Sequence, residues 1–202
     1  MKTLGLISGG KDSAYNMLLS QQRFGHEIVA LGNLRPQNDD VQELDSYMYQ
    51  TVGHNVVDAY AACMDLPLFV RRIRGTSINC SKVYDGTTEG DEVEDLRALL
   101  TYAKSRMPEI EAVSCGAIRS DYQRVRVESI CQTLGLTCLA YLWRQPQEAL
   151  LERMIEDGID AVLIKVACLG LVPRLHLGKS LSDMLPKLRE LNDMYGGKYG
   201  TV

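Results

Sequence analysis

A short apolar strand that runs straight into paired glycines and then into a helix leaves few architectures open to the chain around it. The stretch Leu4-Gly-Leu-Ile-Ser8-Gly9-Gly10-Lys11-Asp12-Ser13 has this form, and a helix-forming run, Ala14 to Gln22, follows at once. The junction delivers Ser-Gly-Gly-Lys-Asp-Ser to a helix N-terminus, whose unbonded N–H groups face whatever sits in front of them. Gly9 and Gly10 let the backbone approach a phosphate, Lys11 adds a formal positive charge, and Ser8 and Ser13 add hydroxyl donors. The Gly-x4-Gly-Lys-Ser/Thr spacing of a Walker A loop is missing. Ser and Gly also suit an ordinary strand–turn–helix junction, but all six residues in order, on the first strand, favour a nucleotide-phosphate site.

Short apolar runs alternate with helix-period segments along the rest of the chain. Thr3–Ile7, Ile28–Leu34, Leu68–Ile73, Ala112–Ala117, Thr137–Leu142 and Ala161–Val166 read as strands. Between them, Val93, Leu96, Leu99, Leu100 and Ala103 form one helical stripe. Val127, Ile130, Cys131 and Leu134 form a second, and Leu150, Leu151, Met154 and Ile155 a third. These stripes are core-facing surfaces. The alternation, without hairpin signals, predicts an α/β fold: a parallel twisted sheet with helices on both faces, Rossmann-like. In such sheets ligands lie beyond the carboxyl ends of the strands, which is where Ser8–Ser13 falls.

Composition sets outer bounds. A chain of 202 residues, 46% apolar, fits one large domain or one domain with a small appendage, with a sizeable core. A net charge of −4 argues against nucleic acid as a direct partner, with Arg71, Arg72 and Arg74 as the one basic patch to watch. No run reaches the length of a membrane span, and the N-terminus lacks a signal-peptide pattern. Cys63, Cys80, Cys115, Cys131, Cys138 and Cys168 are scattered without a Cys-x-x-Cys pair, as expected of reduced thiols in the cytoplasm. Neither they nor His26, His54 and His176 have metal-ligand spacing, so no metal-ligating set is assigned. Two long irregular regions, Arg35–Leu44 and Gly75–Gly90, are of a length that is usually functional or disordered. The second leads into an acidic run from Glu89 to Asp95, which complements a helix dipole or turns carboxylates into a cleft for Mg²⁺ or a cationic group.

Several blocks together resemble the diphthine–ammonia ligase family, within the PP-loop adenine-nucleotide α-hydrolases. They are Leu6–Ser13, Leu34-Arg-Pro36, Glu43–His54, Glu89–Leu96, Gly116-Ala-Ile118, Ser120–Arg124, Leu139–Trp143 and His176–Leu181. Ser8–Ser13 is common to many PP-loop enzymes; the Asp45–His54 and acidic blocks are far more specific. The resemblance implies that ATP adenylates the diphthine carboxylate of translation elongation factor 2, and that ammonium then displaces AMP to leave an amide. It implies ATP, with Mg²⁺ expected beside it, and no glutaminase subunit. Ser8, Gly9, Gly10, Lys11, Asp12, Ser13, Asn33 and Gly116 would hold the nucleotide. Lys11, Asp12, Glu89, Asp91 and Glu92 would serve the chemistry, and Asp45, Tyr47, Glu92, Ser120, Asp121 and Trp143 the substrate. Carboxylates and aromatics such as Glu89, Asp91, Glu92, Tyr47 and Trp143 would receive the quaternary ammonium of diphthine. Residues 1–88 then form a nucleotide-binding half and 89–202 a substrate-binding half of one ligase domain.

The chain departs from the family at its end. Relatives continue into a Gly-Glu-Gly-Gly-Glu-Tyr-Glu-Thr segment, whereas here Gly196-Gly-Lys-Tyr-Gly200 is followed by two residues. This reads as a shortened form or a fragment in which a further strand begins, and a nucleotide-binding form without ligase activity is the alternative. A tRNA-modifying or glutamine-dependent PP-loop enzyme is disfavoured. Met1 is followed by Lys2 where an N-terminal nucleophilic cysteine would be needed, and paired cysteines and a basic surface are lacking.

Overall fold

The computed structural model describes residues 1–41 and 43–195. Strands β1 (Lys2–Leu6), β2 (Glu27–Arg35), β3 (Leu68–Arg72), β4 (Ala112–Ser114) and β5 (Thr137–Leu139) form one sheet in the order β3-β2-β1-β4-β5. Every neighbouring pair is parallel. The order reverses between β1 and β4, so the loops after these two strands flank the crevice expected to take a ligand.

Period-2 alternation sorts the strand residues between two layers. Leu4 and Leu6 of β1 join the layer under α3 (Glu92–Arg106) and α4 (Asp121–Thr133). Ile7, Ile28 and Leu31 join Met17 of α1 (Lys11–Gln22) and Val57 and Ala61 of α2 (Val57–Met64) on the other face. In β2, Val29 and Ala30 both turn to the α3/α4 layer, because the register with β1 slips between Thr3 and Leu4. This bulge supplies the one extra residue that puts consecutive side chains on one face. The three predicted helical stripes form core, with Leu134 and Ile155 partly buried at its edge. Each large aliphatic side chain buried this way contributes roughly 1.5–3 kcal/mol.

The chain divides after Trp143 into two compact units. The first holds the sheet and α1 to α4. In the second, α5 (Gln147–Glu156) and α7 (Leu181–Tyr195) pack through Leu151, Leu181, Met184 and Leu188, and a short α6 (Pro173–His176) lies between them in sequence. Arg189 binds Glu148 and Glu152 across the α5–α7 pair.

The predicted strand Ala161–Val166 is not a sheet strand. It belongs to the second unit and makes a single antiparallel bridge, Val162 to Ser180, with Ala161 and Leu163 packed inward. A short apolar run carries no information about its partner, and here the partner is a local irregular segment. β4 and β5 are also shorter than predicted. Gly116 leaves the ladder to pack on α1, and Asn16 captures the backbone N–H of Tyr141 at 2.8 Å. The segment from Gly196, where the sequence suggested a further strand, lies outside the described residues.

All six cysteines are free thiols, with Cys115 and Cys131 buried and Cys63 and Cys80 exposed. Burial pushes the Cys115 thiol up to about 12, so its thiolate is scarce at neutral pH. Alkylation of the native chain should therefore modify Cys63 and Cys80 first. Cys115 and Cys131 should react only on unfolding, as peptide mass mapping over time would reveal.

Candidate functional site

The loop from Ser8 to Gly10 joins β1 to α1, and its shape is fixed by hydroxyl bonds and two close approaches. Ser13 Oγ donates to the Gly10 carbonyl at 3.0 Å, and Ser8 Oγ accepts from Gly10 N–H at 3.3 Å. Gly9 has φ of +87°, and a Cβ there would lie 3.0 Å from the Gly53 carbonyl oxygen and 3.1 Å from Val56 Cγ2. Glycine is needed for both the left-handed backbone and the space. Gly116, just past β4, meets the first turn of α1 from the other side. A Cβ on it would lie 2.7 Å from Ser13 N and 2.8 Å from Asp12 C.

α1 opens without a side-chain cap: Gly10 sits at the cap position and has no side chain to accept from the first-turn N–H groups. By contrast, Asp91 caps α3 through Val93 N–H, and Ser120 caps α4 through Gln123 N–H. The first-turn N–H groups of α1 thus have no side-chain cap, and the positive end of the helix dipole lies behind them. Lys11 Nζ lies 3.0 Å from Asp12 Oδ1, which keeps its charge at the mouth of the loop.

Asn33 ends up behind the loop. Its amide donates to the Ile7 carbonyl at 2.7 Å and accepts from Arg35 Nε at 2.9 Å, and Arg35 in turn binds Asp58. It therefore props the strand that feeds the loop, and its backbone lies in the β2–β3 ladder opposite Val70. His54 is buried with Nδ1 2.9 Å from the Thr51 carbonyl, and it shapes the segment that backs Gly9.

The acidic run folds inward. Asp91 accepts N–H bonds from Val93, Ile78 and Asn79 at 2.9, 3.2 and 2.8 Å. Glu92 is 1% exposed. Its carboxylate accepts from Ser46 Oγ at 2.5 Å, Ser77 Oγ at 2.7 Å and Met48 N–H at 3.2 Å. Asp95 accepts from Arg71 Nε and from the N–H groups of Arg74 and Gly75. These carboxylates face the protein, and they fasten residues 46–48 and 74–79 to the start of α3. Glu89 and Asp45 are exposed. The predicted basic patch is largely neutralised: Arg71 pairs with Asp95 and Arg72 with Asp39, whose carboxyl the guanidinium holds below its ordinary value.

Tyr47 and α4 meet over this platform. The Tyr47 and Tyr122 rings stand edge to face at 5.8 Å, and Gln123 Nε2 donates to the Met48 carbonyl at 3.0 Å. Asp121 is exposed beside them, and Trp143 is half-buried with the Arg124 guanidinium over its ring at 5.8 Å. The structure thus gathers the loop, Gly116 and Asn33 around β1, and Tyr47, Glu92 and Ser120 around the starts of α3 and α4. Sequence reasoning missed three supports. Asn16 is fully buried and bonds Ser114, Leu139 and Tyr141; Arg126 and Gln123 join α4 to the loops. The only signal for Asn16 was an amide inside a helix, which by itself reads as a solvent-facing residue.

Among the described residues no three His, Cys, Asp or Glu side chains converge as a metal cage, and no helix is long and apolar enough to cross a membrane. Mg²⁺ carried on nucleotide phosphates needs only one or two protein carboxylates, and Asp12, in the first turn of α1, lies beside the loop.

The family described as the diphthamide synthase N-terminal domain matches residues 1–138. A diphthine–ammonia ligase of Rattus norvegicus is 57% identical over 198 residues, covering 97% of this chain and 73% of the relative. The Schizosaccharomyces pombe ligase is 51% identical over 209 residues, covering 100% of this chain and 34% of its own length. Among solved structures, a tRNA thiolase from Methanococcus maripaludis superposes with a TM-score of 0.42 at 16% identity, covering 98% of this chain and 68% of that one.

Proposed function

The chain belongs to the diphthamide synthase family, and from that premise we propose that it amidates the diphthine carboxylate of elongation factor 2 in two steps. In the first, a carboxylate oxygen attacks the α-phosphorus of ATP, the bond to the bridging oxygen breaks, and pyrophosphate leaves. In the second, ammonia attacks the acyl carbon, loses a proton, and expels AMP. The observation that carries this reading is the uncapped N-terminus of α1 behind Gly9 and Gly10, with Lys11 at its mouth. Those groups suit the β- and γ-phosphates, whose charge must be held while the α-phosphorus is attacked. Mg²⁺, when bound with ATP, would neutralise phosphate charge, with Asp12 as its protein neighbour.

Residues 1–88 serve as the nucleotide half in this reading, and they also deliver Tyr47. Asp45, Asp121, Ser120, Glu89 and Trp143 border the substrate half, while Asp91 and Glu92 act as mounts for its loops. Free ammonium supplies the nitrogen, without a glutaminase subunit, and the reaction belongs in the cytoplasm with its protein substrate.

The test is AMP release from ATP, Mg²⁺, ammonium and diphthine-bearing elongation factor 2. AMP should form only when both ammonium and the factor are present, and Lys11→Ala should lower the rate at least about 100-fold. ATP binding with no AMP from the native chain would overturn the ligase reading in favour of a nucleotide-binding form.

A further inference from the structure

The loops and helix starts at the carboxyl end of the sheet carry Tyr47, Tyr49, Tyr84, Tyr122, Tyr141 and Trp143. A soft cation needs an unoccupied ring face within about 6 Å of its centre. Arg126 lies 3.3 Å from the Tyr122 ring centre and 5.3 Å from that of Tyr84, so both already have a guanidinium against them. Arg124 stands over Trp143 in the same way. Tyr141 stacks flat on Phe24 at 3.8 Å, and Tyr49 is turned inward, its hydroxyl donating to the Glu92 carbonyl at 2.9 Å. Tyr47 differs: it is 67% exposed, and among the described residues its one aromatic neighbour meets it edge to face.

An exposed tyrosine is ordinarily mobile, but the backbone on both sides of this one is fixed. Ser46 Oγ and Met48 N–H both donate to the Glu92 carboxylate, and Ser46 Oγ also accepts from the N–H groups of Met48 and Tyr49. Gln123 holds the Met48 carbonyl from the far side. A buried carboxylate with three neutral donors and, among the described residues, no cation paired with it is costly unless its geometry is well made. Here it fastens a loop whose central side chain points to solvent.

We infer that Tyr47 is the ring that receives the quaternary ammonium of the protein substrate, and that Glu92 is the positioning residue that holds Tyr47 in place. This rests on the ligase reading for the identity of the substrate. It separates two residues that sequence alone left equivalent: Tyr47 binds the cation, and Trp143 is occupied by Arg124.

The experiment measures binding of the whole chain to elongation factor 2 bearing diphthine, and to the same factor with the unmethylated amine, which holds its water more tightly. The native chain should prefer the methylated form about tenfold, which corresponds to roughly 1.4 kcal/mol of cation–π attraction. Tyr47→Ala should abolish that preference at unchanged ATP affinity and melting temperature, and Tyr47→Phe should keep it. Glu92→Gln places an amide N–H₂ against donors it cannot accept from, and should weaken the preference in the same direction. Trp143→Ala should leave it intact. The inference is overturned if the native chain shows no preference, if Tyr47→Ala retains it, or if Trp143→Ala removes it. AMP release measured on the same samples separates the two claims. No AMP with a Tyr47-dependent preference removes the ligase reading alone; AMP with an unmoved preference in Tyr47→Ala removes this inference alone.

Discussion

Replacing Gly116 with alanine should reduce AMP formation at least about 100-fold and lower stability by roughly 1–3 kcal/mol. The added methyl would sit 2.7 to 2.9 Å from Ser13 N, Asp12 C and Asp12 O, all of them backbone atoms. A flexible side chain would swing away from such a contact, whereas the first turn of α1 has to move as a body. That turn carries the N–H groups proposed to hold the phosphates. A displacement near 1 Å at such a site costs about two orders of magnitude in rate, and overpacking of this kind destabilises by the amount stated. Gly10→Ala is the matched comparison. Its methyl meets only Ser8 Oγ, at 3.4 Å, and its backbone is extended, so the free chain should fold with an unchanged melting temperature. If phosphate occupies the space in front of the loop, Gly10→Ala should still weaken ATP binding, because the methyl intrudes on the ligand rather than on the protein. Calorimetric titration of both variants with ATP, beside their thermal melts, distinguishes these effects. A Gly116→Ala chain that binds ATP and forms AMP normally would mean that the close approach at β4 does not shape the site.

The two glycines also illustrate what the sequence discloses. Gly9 and Gly10 sit inside a local motif, and the physics that requires them is local: a left-handed turn and a bare helix end. Gly116 is separated from Asp12 by more than a hundred positions. Its constraint arises only when parallel β1 and β4 become neighbours, and periodicity does not specify which strands pair. The alternation of strands and helices made the parallel sheet legible, and the helical stripes proved to be core because burial has a periodic signature. Polar residues have none. The run from Glu89 to Asp95 gives the same composition whether its carboxylates point to solvent or inward. The deciding fact is the set of donors on residues 46–48 and 74–79, which nothing in the spacing reveals. Ala161–Val166 failed for a related reason: its apolar character predicted burial and extension, but a local irregular partner satisfies its backbone instead of the sheet.

Arg126 is the other residue whose loss should be felt strongly, and the sign of the effect depends on two opposing terms. Its guanidinium is fully buried, and among the described residues no carboxylate pairs with it. It donates to the carbonyls of Asn79 at 2.5 Å, Ser81 at 3.1 Å and Tyr122 at 3.2 Å, and lies between the rings of Tyr84 and Tyr122. Taking a cation out of water costs several kcal/mol, and a well-packed apolar replacement recovers that cost. Against it stand three carbonyls that would lose a charged donor, at about 1–3 kcal/mol for each one left dry, and two cation–π contacts. Ser81 is exposed, so water can reach its carbonyl, and that of Tyr122 keeps its helical bond from the main-chain N–H of residue 126; that of Asn79 belongs to a half-buried residue. Arg126→Met, which keeps much of the volume, should therefore destabilise by about 2 kcal/mol. Arg126→Ala adds a cavity and should destabilise by about 4 kcal/mol. Urea unfolding of the two variants measures both terms. A neutral or stabilised Arg126→Met would mean that desolvation of the cation outweighs its bonds. The residue would then be retained for holding residues 79–81 against α4, and with them the platform on which Tyr47 is mounted.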